Sequence, residues 1–201
     1  MQIYHVLMSG HESTHSQVSL LDRDGWRKYA NAIMSVEAAS FLPSVRHTSE
    51  FLAAIVQDEK SASVVALLGD GVAGFCFGGP LESFPQKKGT RRDRNWGRHN
   101  TLYAADLAVA PDCRRQGLGL QLKEAQIRLA KELGYEFITG RNRVAVADAA
   151  WHINRALGAY QVQYLVDDYD DDGLGSRDCI YYQIDLRRSS DKHPARTNGT
   201  A

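Results

Sequence analysis

The chain has few cysteines. Cys76, Cys113 and Cys179 are too scattered for a disulfide framework or a paired-thiol metal site. A reducing, cytoplasmic setting is the expectation. No apolar run approaches ~18 residues, so no membrane-spanning helix is expected. The opening residues, MQIYHVLMSGH, lack a basic stretch ahead of a longer apolar one, and no secretory signal is read there. An excess of one charge is missing too. Lys plus Arg number 24 and Asp plus Glu number 24, so bulk electrostatics gives no reason to expect nucleic acid as a partner. A GxGxxG after an N-terminal strand is absent, as is repeated strand–helix alternation. A dinucleotide-binding oxidoreductase therefore fits poorly. No internal repeat is present.

What is present suits one globular domain over 1–186. The 201 residues are 43% hydrophobic, enough to bury a core. The stretch 187–201 is polar, with Pro, Gly and Ser, and reads as a disordered tail. Residues 2–8 can form a first strand and 11–17 a polar loop. Asp24 is positioned to cap a helix over 26–40, ended by Pro43, and Thr48 to cap a second helix carrying Phe51, Leu52 and Ile55. Two apolar runs, 63–68 and 72–77, flank Gly69-Asp70-Gly71 as a hairpin. A strand over 101–110, a helix over 117–133 and a strand over 135–139 follow. After a connection at 140–146 come a helix from Asp148 to Leu157 and strands at 159–166 and 179–186.

The chain is organised around Asp106 to Gly119, DLAVAPDCRRQGLG. An apolar run turns at Pro111, passes two arginines and closes on spaced glycines. Leu118, Leu122, Ala125, Leu129 and Leu133 then recur at helical spacing. A helix start exposes amide N–H groups that no earlier carbonyl satisfies, and their partial positive charge suits a phosphate. Gly117 and Gly119 would let it approach the backbone, and Arg114 and Arg115 would add charge-assisted bonds. An ordinary tight turn with solvated arginines is the plain alternative.

The spacing Arg114-x-x-Gly117-x-Gly119 resembles the pyrophosphate loop of the GNAT family of N-acetyltransferases. The preceding Leu107-x-Val109-x-Pro111 and the later Ile153-Asn154-Arg155-Ala156-Leu157-Gly158 strengthen the likeness. The resemblance implies an α/β GNAT fold, a mixed central sheet of about six to seven strands flanked by about four helices. It implies acetyl-CoA as donor, with no metal, and a primary amine as acceptor, either a small cationic amine or a peptide amine. A homodimer is left open. Arg114, Arg115, Gln116, Gly117, Leu118 and Gly119 would hold the coenzyme's diphosphate. Backbone groups at Leu107, Ala108 and Val109 would bond its arm or polarise its carbonyl, in a gap between 101–110 and 135–139. Asn142 and Asn154 would complete the cofactor site.

Direct transfer needs a base for the protonated amine. Glu82, Asp106 and Glu37 are the candidates, with Glu82 favoured. Many family members carry a leaving-group acid, a Tyr, where this chain has Asn154. Tyr160 is a nearby substitute, and Trp151 and His152 share the helix with Asn154. The departure from the family pattern keeps a second reading open, a catalytically impaired acyl-CoA-binding sensor or interaction module.

Acceptor choice falls to the early helices, where Glu37, Phe41 and Arg46 lie, and to an acidic loop containing Asp167, Asp168, Asp170, Asp171 and Asp172. Asp168 and Asp170 could attract a cationic amine. The loop opens like a calcium site but has Cys179 at the twelfth position, so calcium is discounted. The basic stretch 85–100, with Trp96 inside it, reads first as a solvated, mobile loop and second as a lid or anion contact.

Overall fold

A computed structural model describes residues 3–5, as backbone only, together with 16–144, 146–173 and 175–187. The rest of the expected first strand, residues 11–15 of the expected loop and the tail beyond Arg187 lie outside these residues. Eight strands form one sheet. In chain order the elements are β1 (Ile3–His5), β2 (Ser16–Leu20), α1 (Arg23–Ser40), α2 (Ser49–Gln57), β3 (Val64–Leu68), β4 (Gly71–Pro80), β5 (Thr101–Val109), α3 (Leu118–Glu132), β6 (Phe137–Arg143), α4 (Asp148–Ala156), β7 (Tyr160–Leu165) and β8 (Cys179–Asp185). The spatial order is β1-β2-β3-β4-β5-β6-β8-β7. All neighbours are antiparallel except β5 and β6, which are parallel. The expected mixed α/β sheet is present. It gains a strand because Ser16 and Gln17, expected in a loop, pair with Leu68 and Leu67.

Two apolar layers cover the sheet. On one face Ile33 and Val36 of α1 and Leu52, Ile55 and Val56 of α2 pack on Phe75 and Phe77. On the other, Leu118, Leu122 and Ala125 of α3 pack on Val18, Ala66, Ala73 and Cys76. Each fully buried Leu or Ile contributes about 1.5–3 kcal/mol. The N-cap of α1 is Asp22, whose carboxylate accepts the Gly25 N–H at 2.8 Å; Asp24 sits inside the first turn and pairs with Arg27. Thr48 caps α2 as expected. Asp148 opens α4 but does not cap it; Ala147 holds that position.

The stretch 85–100 is knitted onto the sheet, unlike the solvated loop expected. Thr90, Asp93 and Asn95 are buried. The Tyr181 hydroxyl donates to Asp93 at 2.7 Å and Thr90 Oγ1 donates to Phe84 C=O at 2.9 Å. Most of its basic side chains remain exposed on the outer side. Among the described residues no helix is long and apolar enough to cross a membrane.

Candidate active site

The site is where β5 and β6 part. They pair from Thr101–Phe137 to Ala104–Gly140 and no further, although β5 runs on to Val109 and β6 to Arg143. A bulge marks the fork. Phe77 pairs with Asp106 and Gly78 with Ala104, leaving Ala105 as the extra residue on β5. Such a bulge adds local twist and re-aims side chains. Although β5 is central in the sheet, Ala104 to Leu107 are only half-buried. The Ala110 N–H donates to Ala73 C=O at 2.9 Å. By antiparallel alternation Ala108 and Asp106 also bond towards β4, so the peptide groups of Leu107 and Val109 face the gap.

Those groups are only partly free for a ligand. Asp106 Oδ1 accepts the Leu107 N–H at 2.8 Å, and Val109 C=O accepts Arg114 Nε at 3.0 Å. The Leu107 carbonyl and the Val109 N–H complete the gap-facing set. Ala108, expected among them, turns its peptide groups to β4. The nearby Asn154 Nδ2 donates to Asn142 Oδ1 at 3.0 Å, which brings together the two asparagines singled out in the sequence. Asn154 Oδ1 is buried with no partner. An arm rich in amide groups fits this set of donors and acceptors.

The diphosphate end is the start of α3. Arg114 to Gly117 are exposed, while Leu118 is buried in the core, so only its backbone can serve a ligand. Gly117 is the N-cap with φ 78°, a left-handed conformation that favours glycine. Gly119 also serves helix packing. A Cβ there would lie 3.0 Å from Ile153 Cδ1, so this glycine lets α4 close against α3. Arg115 is left-handed as well, with φ 61°.

On the α1 face of the fork, Glu37 and Asp106 meet carboxyl to carboxyl. Burial lifts Asp106 well above the ordinary carboxylate range, and the Glu37 charge and hydrogen bond lift it further. Glu37 is fully buried and is also raised, chiefly by burial. Its Oε1 accepts the His47 N–H at 2.7 Å. Two carboxyls this close in a poorly solvated place disfavour a state in which both are ionised. The His47 ring stacks on Phe51 with centroids 4.3 Å apart. Burial, and then the Lys87 charge, hold His47 down to about 4, so it is neutral at pH 7.

Other expected site residues lie elsewhere. Glu82 follows the end of β4 that pairs with Leu102, away from the fork, and its Oε1 accepts the N–H groups of Gly97 and His99. Tyr160 pairs with Gln183 on β7, and its hydroxyl donates to Gln183 Oε1 at 2.7 Å. The tyrosine that reaches Asn154 is Tyr182. Phe41 packs on the α1-face core. Arg46 bonds the carbonyls of Phe41 and Ala38, capping the end of α1. His152 bonds Asp148 C=O within its own helix. In the acidic loop, Asp168 is clamped by Arg141 and Lys88, and Asp172 by Arg143 at 2.6 Å; Asp170 is exposed. Lys87 lies in the basic stretch read as a lid or anion contact, while helix spacing and turn signals give no hint of Arg141 or Tyr182.

Comparison of the sequence with curated proteins returns no match. Solved structures share the fold. The ribosomal-protein-S18-alanine N-acetyltransferase of Escherichia coli superposes with a TM-score of 0.67 at 18% identity, covering 89% of this chain and 99% of that one. Ard1 of Thermoplasma volcanium gives 0.65 at 15% identity over 85% of this chain and 97% of its own. The Salmonella typhimurium protein yncA, solved with its cofactor acetyl-CoA, gives 0.62 at 17% identity over 92% and 99%. The sequence itself matches the Acetyltransferase (GNAT) family over residues 30–159. That span contains the carboxyl pair, the fork and the glycine loop, and the chain belongs to the Acetyltransferase (GNAT) family.

Proposed function

We propose that this protein transfers acetyl directly from acetyl-CoA to a primary amine, with Glu37 and Asp106 accepting the amine's proton. The observation that carries this reading is the carboxyl pair at the fork of β5 and β6. Acetyl-CoA, when bound, supplies the activated acetyl group. The backbone at Gly117 to Gly119, with Arg114, Arg115 and Gln116, would hold its diphosphate. Leu107 C=O, Val109 N–H and Asn154 would hold its arm.

A primary amine of pKa ~10 is protonated at neutral pH and cannot attack. An ordinary carboxylate, near pKa 4, is a weak base for it. Here burial raises both carboxyls, and the Glu37 charge raises Asp106 further. Once both are ionised, two negative charges face each other out of water. Taking the amine's proton, directly or through water, relieves that repulsion. The acceptor is a small molecule or a peptide amine, and the domain spans 1–186. A cytoplasmic setting suits the free cysteines.

A second reading is favoured by one observation. The α4 position that carries Tyr in many relatives is Asn154 here, and Tyr160 is tied up at Gln183. Without an acid for the leaving thiolate, the protein would be an acyl-CoA-binding module. Thiol release from acetyl-CoA across a panel of amines separates the two. The enzyme reading expects turnover with some amines, lost in Asp106→Asn while coenzyme binding persists. Tight coenzyme binding with no turnover on any amine supports the module.

A further inference from the structure

The acidic loop offers little affinity for a polycation, because three of its five carboxylates already meet cations. Asp168 meets Arg141 and Lys88, Asp172 meets Arg143, and Asp167 lies 3.6 Å from Arg177. Beside the carboxyl pair, the α1 face of the fork also carries positive charge without a counter-ion. Among the described residues the Lys87 ammonium meets no carboxylate within ion-pair distance; it lies 5.4 Å over the Phe51 ring. The other side of that contact is the stack of Phe51 with His47, whose backbone holds Glu37. Lys87 is therefore hung beside the carboxyl pair. Arg141 is nearly buried, with 12% of its side chain exposed, and its Nε has no hydrogen-bond partner although its Nη2 meets Asp168. A buried donor left unmade costs about 1–3 kcal/mol.

Lys87 and Arg141 also repel one another. Burial first, and then the Arg141 charge, lower the Lys87 pKa, and only the Asp106 charge opposes this. An anion between them would satisfy the idle nitrogen and quench the repulsion together. The pair Glu37–Asp106 next to them calls for an ammonium. One face thus carries a negative pole and an unanswered positive pole.

We infer that the acceptor is a small zwitterionic amine of the amino-acid type, its amino group at Glu37–Asp106 and its carboxylate held by Lys87 and the free Nε of Arg141. This rests on the N-acetyltransferase reading and narrows its substrate class. The carboxylate is not consumed; it orients the amine and offsets the charge of the carboxyl pair.

The test pairs L-α-amino acids with the amines they yield on decarboxylation, and adds short peptides whose N-terminal amine has no adjacent carboxylate. Thiol release from acetyl-CoA and equilibrium binding of each compound to the CoA-loaded protein are both measured. The expected result is at least ~10-fold higher kcat/KM, and tighter binding, for some amino acids over their decarboxylated partners. Lys87→Met should abolish that preference by raising KM for the carboxylated compound far more than for the decarboxylated amine, with coenzyme binding unchanged. Binding that shows the preference without turnover supports this assignment and sinks the enzymatic reading alone. A preference for decarboxylated amines or peptides overturns it. So does a carboxylate preference that survives in both Lys87→Met and Arg141→Gln.

Discussion

Glu37, on α1, and Asp106, on β5, bring their carboxyls together at the fork of the sheet, each leaves one buried oxygen, Oε2 and Oδ2, without a hydrogen-bond partner, and among the described residues no cation within ion-pair distance neutralises them. Their pKa values are raised in the folded protein, so the folded state binds more protons than the unfolded chain above the ordinary carboxylate range. Stability contributed by the retained proton is present at low pH and lost as pH rises through the raised values. Asp106→Asn mimics the protonated acid: its oxygen still accepts the Leu107 N–H and its amide can donate to Glu37. The variant should match the parent in Tm near pH 4 and exceed it increasingly towards pH 8. Its kcat should fall by ~10²–10⁴. Parent activity should climb with pH as the pair loses its proton. A Tm difference that is flat with pH would refute the retained proton.

The two glycines of the coenzyme loop should fail for different reasons. Gly117→Ala forces a side chain into a left-handed conformation, costing about 1–2 kcal/mol, with open space around the new Cβ. Gly119→Val instead drives a branched side chain into Ile153. Adding Ile153→Ala should restore much of the coenzyme affinity lost in Gly119→Val and none of that lost in Gly117→Ala. Calorimetric titration with CoA reads both. Equal rescue of the two variants would mean that Gly119 does not serve helix packing.

The glycine loop was legible because its chemistry is local. A positive φ, an exposed helix start and the leucines behind it lie within one short stretch, and the chain there reads as it folds. The hairpin around Gly69-Asp70-Gly71 was legible for the same reason. Other features needed partners distant in sequence. The second half of β6, Arg141-Asn142-Arg143, reads as a polar connection; it is a strand because Asp168 and Asp172, from a later loop, answer its arginines. β2 looks like loop because only Val18 and Ser19 in it are buried. Glu37 and Asp106 were each visible as carboxyls, but helix and strand periodicity says nothing about which of them meet. Glu82 reads as the acid beyond a strand end, whereas its Oε1 accepts two amides of the 85–100 segment.

Lys123 is buried on α3 with Gln126 Oε1 at 2.8 Å and the Tyr182 hydroxyl at 3.4 Å, and among the described residues no carboxylate answers it. Burial lowers its pKa. The folded state therefore binds fewer protons than the unfolded chain, and stability rises as pH climbs towards the ordinary lysine value. Lys123→Met should raise Tm, most at lower pH, and the gain should shrink in alkaline buffer. Loss of the Gln126 bond offsets about 1 kcal/mol of it. A variant that is less stable than the parent at pH 6 would show that Lys123 is worth more to the fold than its desolvation costs.

The acidic loop separates a structural carboxylate from a steering one. Asp168 has 1% of its side chain exposed and holds Arg141 and Lys88 together. Removing its charge leaves Arg141 buried and uncompensated, which costs about 3–5 kcal/mol. Asp168→Asn should lower Tm by many degrees, and substrate affinity should fall with it because Arg141 loses its position. Asp170 is exposed, so its field is screened within about 8–10 Å at physiological salt. Asp170→Asn should leave Tm and KM unchanged at 0.15 M salt (a roughly physiological ionic strength). Urea titrations and KM at low and high salt test the pair. If Asp170→Asn raised KM at low salt for an amine lacking a carboxylate, with Asp168→Asn neutral in stability, the loop would be drawing in cationic acceptors, and the clamp on Arg141 would not be its task.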